Sequence, residues 1–393
     1  MTGAVVRRLG VLGFALAAAG LAGCSNFANL PSLSSLNPMN LFAADKPKPA
    51  ELEPITPKIG ARQAWTARVN SVAFPLGIAV NGNAFTVAGT DGTVLALDAN
   101  DGHELWRASA GERLSAGVGS DGKYAAVVTR DNELVVMDAS GVKWRQNLGG
   151  RVATPPLVAG ERVFTMGVDR VVNAFDVING QRIWTLSRPG DALTLSQPGV
   201  LAPFKDTLLV GQGARLTGID PLRGQVRWEV ALASPRGTNE VERLADLVGP
   251  LARSGDVVCA RAFQSSVACA NAERATLAWT KVVGGVNAVA GDEQLVFGGD
   301  ASDRLTAWRA ANGDVAWTNE RFLNRGLSGP AVLGGSVVFG DSQGLVHFLS
   351  RENGETQARL PTDGSAVVGS PARAGNTLLV ATANGGLFAF RLQ

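Results

Sequence analysis

A tryptophan-terminated phrase returns about every forty residues along most of this chain. It reads GTVLALDANDGHELW to Trp106, NELVVMDASGVKW to Trp144, RVVNAFDVINGQRIW to Trp184 and ARLTGIDPLRGQVRW to Trp228. SSVACANAERATLAW then ends at Trp279 and DRLTAWRAANGDVAW at Trp317. A seventh copy, GLVHFLSRENGETQA, has Ala358 at the tryptophan position, and an eighth, GGLFAFRLQ, stops at the C-terminus. From Trp65 onward the steps are 41, 38, 40, 44, 51, 38 and 41 residues. A unit of that length with several short β runs cannot bury its apolar face alone. Copies must pack on one another, and this period is the signature of a β-propeller.

Each copy divides into four strands. In the third, VATPPLVAG, RVFTMGV, VVNAFDV and QRIWTLS follow one another, separated by residues that form tight turns. The 48 glycines among 393 residues fit that many turns, and an apolar content of 46% against 18% charged supplies a core. The eighth copy lacks a fourth strand, while Trp65 in RQAWTARV has no three strands before it. Residues 61–69 therefore complete the blade begun by 366–391. The expected fold is all-β: an eight-bladed β-propeller of four-stranded blades over 61–393, closed by an N-terminal strand that leaves few exposed edges.

Most repeated residues have structural work to do. Asp98, Asp138, Asp176, Asp220 and Asn271 end third strands, where a short acceptor side chain bonds the amides of the next turn. The tryptophans, one per copy at one position, read as wedges between blades. Trp308 lies off that position, where the first copy has Leu97, and reads as core.

The N-terminus reads as a targeting segment. Arg7 and Arg8 precede the apolar run LGVLGFALAAAG, which is too short for a membrane span. It ends in LAGC, which resembles the lipobox of bacterial lipoproteins. That resemblance implies a signal peptide over 1–23 and a lipid on Cys24, with Ser25 favouring the outer membrane. Residues 24–60, rich in Pro, Ser and Asn, read as a tether.

Little in the sequence points to chemistry. A net charge of +2 with no basic stretch among aromatics excludes a nucleic-acid face. Two histidines and three cysteines give no zinc pattern, and neither HExxH nor GxSxG occurs. His103 and His347 occupy positions where other copies carry unrelated residues, and GVGSDG at 117–122 opens no helix. The reading is a non-enzyme with no metal, no catalytic residue and no cofactor beyond the covalent lipid. Cys259 and Cys269 lie on the second and third strands of the fifth copy. A two-residue turn at Gln264–Ser265 sets them on opposite sides, whereas a three-residue turn sets them face to face for a disulfide.

Two segments break the rhythm. RPGDALTLSQPGVLAP (188–203) links blades three and four, and 232–248, containing GTNEVERLAD, links blades four and five. In a propeller both links lie on one face, together with the hairpins between second and third strands. Leu193 and Leu195 would form an apolar patch there, rimmed by Glu240, Glu242, Arg243 and Asp246.

The phrase DG-x-LxALDxxxGxxxW resembles the repeats of pyrroloquinoline-quinone-type propellers. An enzyme of that class needs a bound calcium, a carboxylate base and a floor of stacked aromatics, and it remains the alternative reading, as a divergent quinoprotein or small-ligand binder. Lipobox, tether, eight copies and TNEVERLAD together resemble the BamB family, lipoprotein subunits of the outer-membrane β-barrel assembly machinery. This resemblance implies a scaffold on the periplasmic face of the outer membrane. Its implied partner is BamA, through periplasmic POTRA domains, with nascent outer-membrane proteins as further partners. It places the contact on Leu193, Leu195 and Asp246, with Arg243 in the same phrase. Ser196 stands where the family pattern has arginine, and Val248 where it has a second acid.

Overall fold

The computed structural model describes residues 47–73, 77–188, 193–235 and 237–393. The expected signal peptide, Cys24 and the expected tether up to residue 46 lie outside the described residues. What is described forms eight four-stranded antiparallel sheets with no helix among them. Blades one to seven occupy residues 79–109, 114–147, 157–186, 201–231, 247–281, 290–319 and 331–361. Blade eight takes its inner three strands from the C-terminus, Val367–Ala374, Thr377–Thr382 and Gly386–Leu392, and its outer strand from Ala61–Arg68. The ends are sealed by Ala61 pairing with Leu392 and by the Gln393 amide donating to the Gly60 carbonyl at 2.6 Å.

Burial follows the blade order. Second and third strands are apolar on both faces because each blade is covered by two neighbours; Ala125–Thr129 is buried throughout. Outer strands such as Glu104–Ser109 alternate between exposed and covered residues. The turn aspartates act as expected. Asp98 accepts from the Asn100 amide at 2.7 Å, Asp138 from Ser140, Asp176 from Ile178, Asp220 from Leu222, and Asn271 from Arg274.

The tryptophans join blades in pairs. The indole N–H of Trp65 donates to the Ala99 carbonyl of the next blade, Trp144 to Val177, Trp184 to Pro221, Trp279 to Ala310 and Trp317 to Arg351, all within 2.8–3.0 Å. Beneath each ring lies a glycine of the neighbouring turn: Gly102, Gly180, Gly224, Gly313 and Gly354, all with φ between 72° and 76°. A Cβ there would sit 2.5–2.7 Å from the nearest neighbouring atoms, mostly those of the indole. Both the left-handed backbone and the close approach demand glycine. In all eight blades the register slips by one residue just before this position, as between Ala96↔Trp106 and Leu97↔Glu104. The bulge re-aims the indole toward the next blade. Ala358 replaces tryptophan where the neighbouring blade has no turn to cap, only the junction of Gly60 with Gln393. Ile59, Ala61 and Leu392 fill that seam.

From Ala50 onward the segment leading to the propeller is bonded to it. The Ala50 amide donates to the Leu323 carbonyl at 2.8 Å, its carbonyl accepts from Arg325 at 2.9 Å, and the Lys58 amide donates to the Gln357 carbonyl at 2.7 Å. Leu52 packs against the cluster containing Phe322 and Leu327.

Candidate functional site

The two off-rhythm links meet on the link face, and Asp246 joins them. Its carboxylate accepts from the Leu195 amide at 2.8 Å and from the Arg170 guanidinium at 3.4 Å. Its carbonyl accepts from the Phe263 amide at 2.9 Å. One residue thus connects the blade-three hairpin, the link into blade four and the blade-five hairpin. The bridge Gly199↔Val248 and the Gly249 amide donating to Pro198 at 3.0 Å continue the junction inward. The sequence places Asp246 on a charged rim. Both its oxygens are in fact turned into the fold, and its side chain keeps 16% of its exposure.

Leu193 and Leu195 are half-buried beside it, and Ser196 is exposed. Val248 is buried and pairs with Arg261 on the next strand. The Arg261 side chain is also fully buried, its guanidinium donating to the carbonyls of Asn287, Val283 and Gly299. Burial pulls its pKa down to about 10, so it stays charged at neutral pH.

GTNEVERLAD folds into a compact turn rather than a charged loop. The Glu242 amide donates to Asn239 Oδ1 at 2.9 Å. Glu242 Oε2 in turn accepts from the Thr238 amide at 2.8 Å, and Oε1 accepts from Asn239 Nδ2 at 2.9 Å. This is the reciprocal logic of a helix capping box used on a single turn. The Thr238 amide, ahead of the other hydrogen bonds, holds the Glu242 carboxyl below the usual range. Asn-x-x-Glu was the available signal for this arrangement. Arg243 is half-buried in the same turn, its amide bonded to the Asn239 carbonyl at 3.2 Å. The turn holds Val241 out at 71% exposure above a groove of about 510 Å3 lined also by Leu244, Leu277 and Val282. Apolar surface on this side is therefore concentrated on Val241, Leu277 and Val282 rather than on Leu193 and Leu195.

Groups with catalytic potential are spent elsewhere. His347 is buried between Phe322 and Phe339, with Nε2 3.0 Å from Asp341. Asp341 also receives Nε and Nη2 of Arg325 at 2.9 and 2.7 Å. Burial opposes ionisation of Asp341 but is outweighed by hydrogen bonds from His347, the Leu345 amide and Arg325, which hold its carboxyl at about 2. Burial pushes the His347 imidazole below its ordinary value. Asp98, Asp101 and His103 come within metal-ligand reach, but both carboxylates already cap their own turn. Cys259 and Cys269 face each other across a three-residue turn, Phe263–Ser265, and are joined by a disulfide.

The axial channel, about 490 Å3, is lined by Ile78, Val118, Pro155, Pro250, Val286 and Pro371, with Gln197, Asn287 and Ser328 among its polar groups. Its described lining contains no carboxylate and no aromatic ring. Calcium and a quinone have no ligand set there, so the residues present do not fit that cofactor.

Comparison with known proteins agrees with this architecture. Residues 90–319 match the family model described as "Outer membrane protein assembly factor BamB". A protein of that name from Bordetella pertussis is 36% identical over 352 residues, 88% of this chain and 91% of the relative. Among solved structures, BamB from Moraxella catarrhalis superposes with a TM-score of 0.76 at 21% identity, covering 84% of this chain and 99% of that one. The quinohemoprotein alcohol dehydrogenase of Comamonas testosteroni gives 0.62 at 15% identity, covering 84% of this chain and 76% of that one. At such identities the structures share a fold.

Proposed function

The chain belongs to the BamB family of outer membrane protein assembly factors, and on that premise we propose that it is a non-enzymatic scaffold of the β-barrel assembly complex. It is anchored to the periplasmic face of the outer membrane by a lipid on Cys24, and it binds the periplasmic POTRA domains of BamA. Leu193, Leu195, Arg243 and Asp246 form the contact region. The observation that supports this most directly is the junction at Asp246, which fixes the Leu195 loop and the approach to blade five as one surface. Asp246 serves mainly by holding the Leu195 loop in shape, and the leucines and the neighbouring turn meet the partner. Replacing Leu193, Leu195 and Asp246 together by alanine should abolish co-purification of BamA from solubilised envelopes while circular dichroism still reports a folded propeller. Undiminished co-purification would refute the site.

A further inference from the structure

Next to the Leu195 loop the link face holds a second concavity. This groove, about 560 Å3, passes Ser115, Arg130, Asn132, Arg151, Ser196 and Gln197. Arg130 and Arg151 are both exposed. Their backbones are fixed where a link meets the hairpin of the blade it enters: the Arg130 amide donates to the Arg113 carbonyl at 2.8 Å, and the Arg151 carbonyl accepts from the Val168 amide at 2.9 Å.

Three other arginines of this face are consumed by the fold. Arg170 lies against Asp246, Arg325 is locked on Asp341, and Arg261 is surrounded by carbonyls. Arg130 and Arg151 differ. Among the described residues neither guanidinium takes part in an ion pair or hydrogen bond. Among the described residues no carboxylate lines the groove; Asp131 and Asp169, on neighbouring hairpin tips, are outside it. Two uncommitted guanidiniums sharing a concavity raise the local positive potential, and each offers a planar fork that matches a carboxylate.

We propose that this groove receives an acidic, extended segment of the partner polypeptide, whose carboxylates pair with Arg130 and Arg151 while the adjoining leucine loop takes its apolar part. The inference rests on the scaffold reading above and adds the chemistry of the partner's second contact. The groove and the leucines are continuous through Leu195, Ser196 and Gln197, so one ligand chain can occupy both.

The test uses the full-length protein and the periplasmic domains of BamA as probe, with affinity measured from about 50 to about 300 mM salt. Arg130→Glu with Arg151→Glu should weaken binding about tenfold and remove most of its salt dependence. The corresponding double lysine variant should retain most of both. Leu193→Ala with Leu195→Ala should weaken binding and leave the salt dependence unchanged. If the leucine variant loses binding but the charge reversal alters neither affinity nor salt dependence, the groove proposal is overturned and the scaffold reading stands. If the unmodified protein does not bind the probe, both fall together. Vesicles containing phosphatidylglycerol provide a further arm. Retention of the unmodified protein but not the reversed variant, with probe binding untouched, would assign the groove to a lipid surface and overturn the proposal.

Discussion

The two faces of the ring are built by different rules. On the face of the third-to-fourth strand turns, one device recurs: an indole of one blade bonded to a carbonyl of the next, over a glycine that leaves it room. On the link face each junction is built differently. Asp246 ties three segments near blade four, Arg261 is held by backbone carbonyls at blade six, and Arg325 is locked on Asp341 at blade seven. The turn face closes the ring by repetition. The link face can vary locally because closure does not depend on it, and that freedom is what a binding surface requires. Substitutions on the turn face should therefore lower stability and spare binding, and those in the link-face loops should do the reverse.

The largest expected effect cuts across this division. Arg325 lies on the link face yet forms a buried pair, so Arg325→Met leaves the buried Asp341 charge without its cation, held only by His347 and the Gln343 and Leu345 amides, and should cost about 3–5 kcal/mol, read by chemical denaturation. The pH dependence follows from the same cluster. The Asp341 pKa is depressed in the folded state, to about 2. Its contribution is present above the unfolded value of about 4 and disappears as pH falls through 2. His347 is also depressed, so the folded state is increasingly penalised as pH drops below about 6.5. Both act in the acid direction. Asp341→Asn should be costly at neutral pH and much less so near pH 2, and an equal cost at both would remove the carboxylate from this role.

The next effect sharpens the rule of the turn face. Trp317→Ala should cost about 3 kcal/mol, allowing for the partial exposure of the ring. Gly354→Ala should cost about 2 kcal/mol through its left-handed backbone and its clash with Trp317. Together the two should cost less than their sum, because removing the indole relieves the clash. Partner affinity should be unchanged in all three, and strict additivity would dissolve the pairing.

This part of the fold was legible because a forty-residue period is a long-range signal written in local residues. Eight blades, the closing strand and the turn aspartates all follow from it. The bulge before each tryptophan was not legible, since one extra residue disappears in steps that already vary between 38 and 51. Asp246 was located on the right face but with the wrong orientation. Its sequence neighbours are charged and suggest solvent, whereas its partner, the Leu195 amide, is 51 residues upstream. Arg325 and Asp341 escaped notice for the same reason, and His347 reads in the sequence only as a histidine on a strand. Asp341 resembles every other hairpin aspartate until the ring brings Arg325 onto it. Repeats report what blades share, and the candidate site consists of what they do not share.

The smaller effects probe the link-face loops. Asp246→Ala should cost about 1–2 kcal/mol by removing the acceptor of the Leu195 amide and one partner of the Arg170 guanidinium. Its effect on BamA capture should be larger than that of Trp317→Ala, although the fold is less disturbed. The reverse order would mean that binding follows global stability and that the link face has no special role.

The smallest effect tests whether order in the GTNEVERLAD turn matters in its own right. Asn239→Ala removes the acceptor for the Glu242 amide and leaves the propeller intact. Exchange of that amide with solvent should rise about fivefold, the equivalent of a lost cap, with no shift in melting temperature. If the turn acts by presenting Val241 above its groove, affinity for the partner can fall by no more than the same factor, because only the population of the ordered turn has changed. A greater loss would mean that Asn239 itself touches the partner. No loss at all would confine the contact to the Leu195 side of the junction.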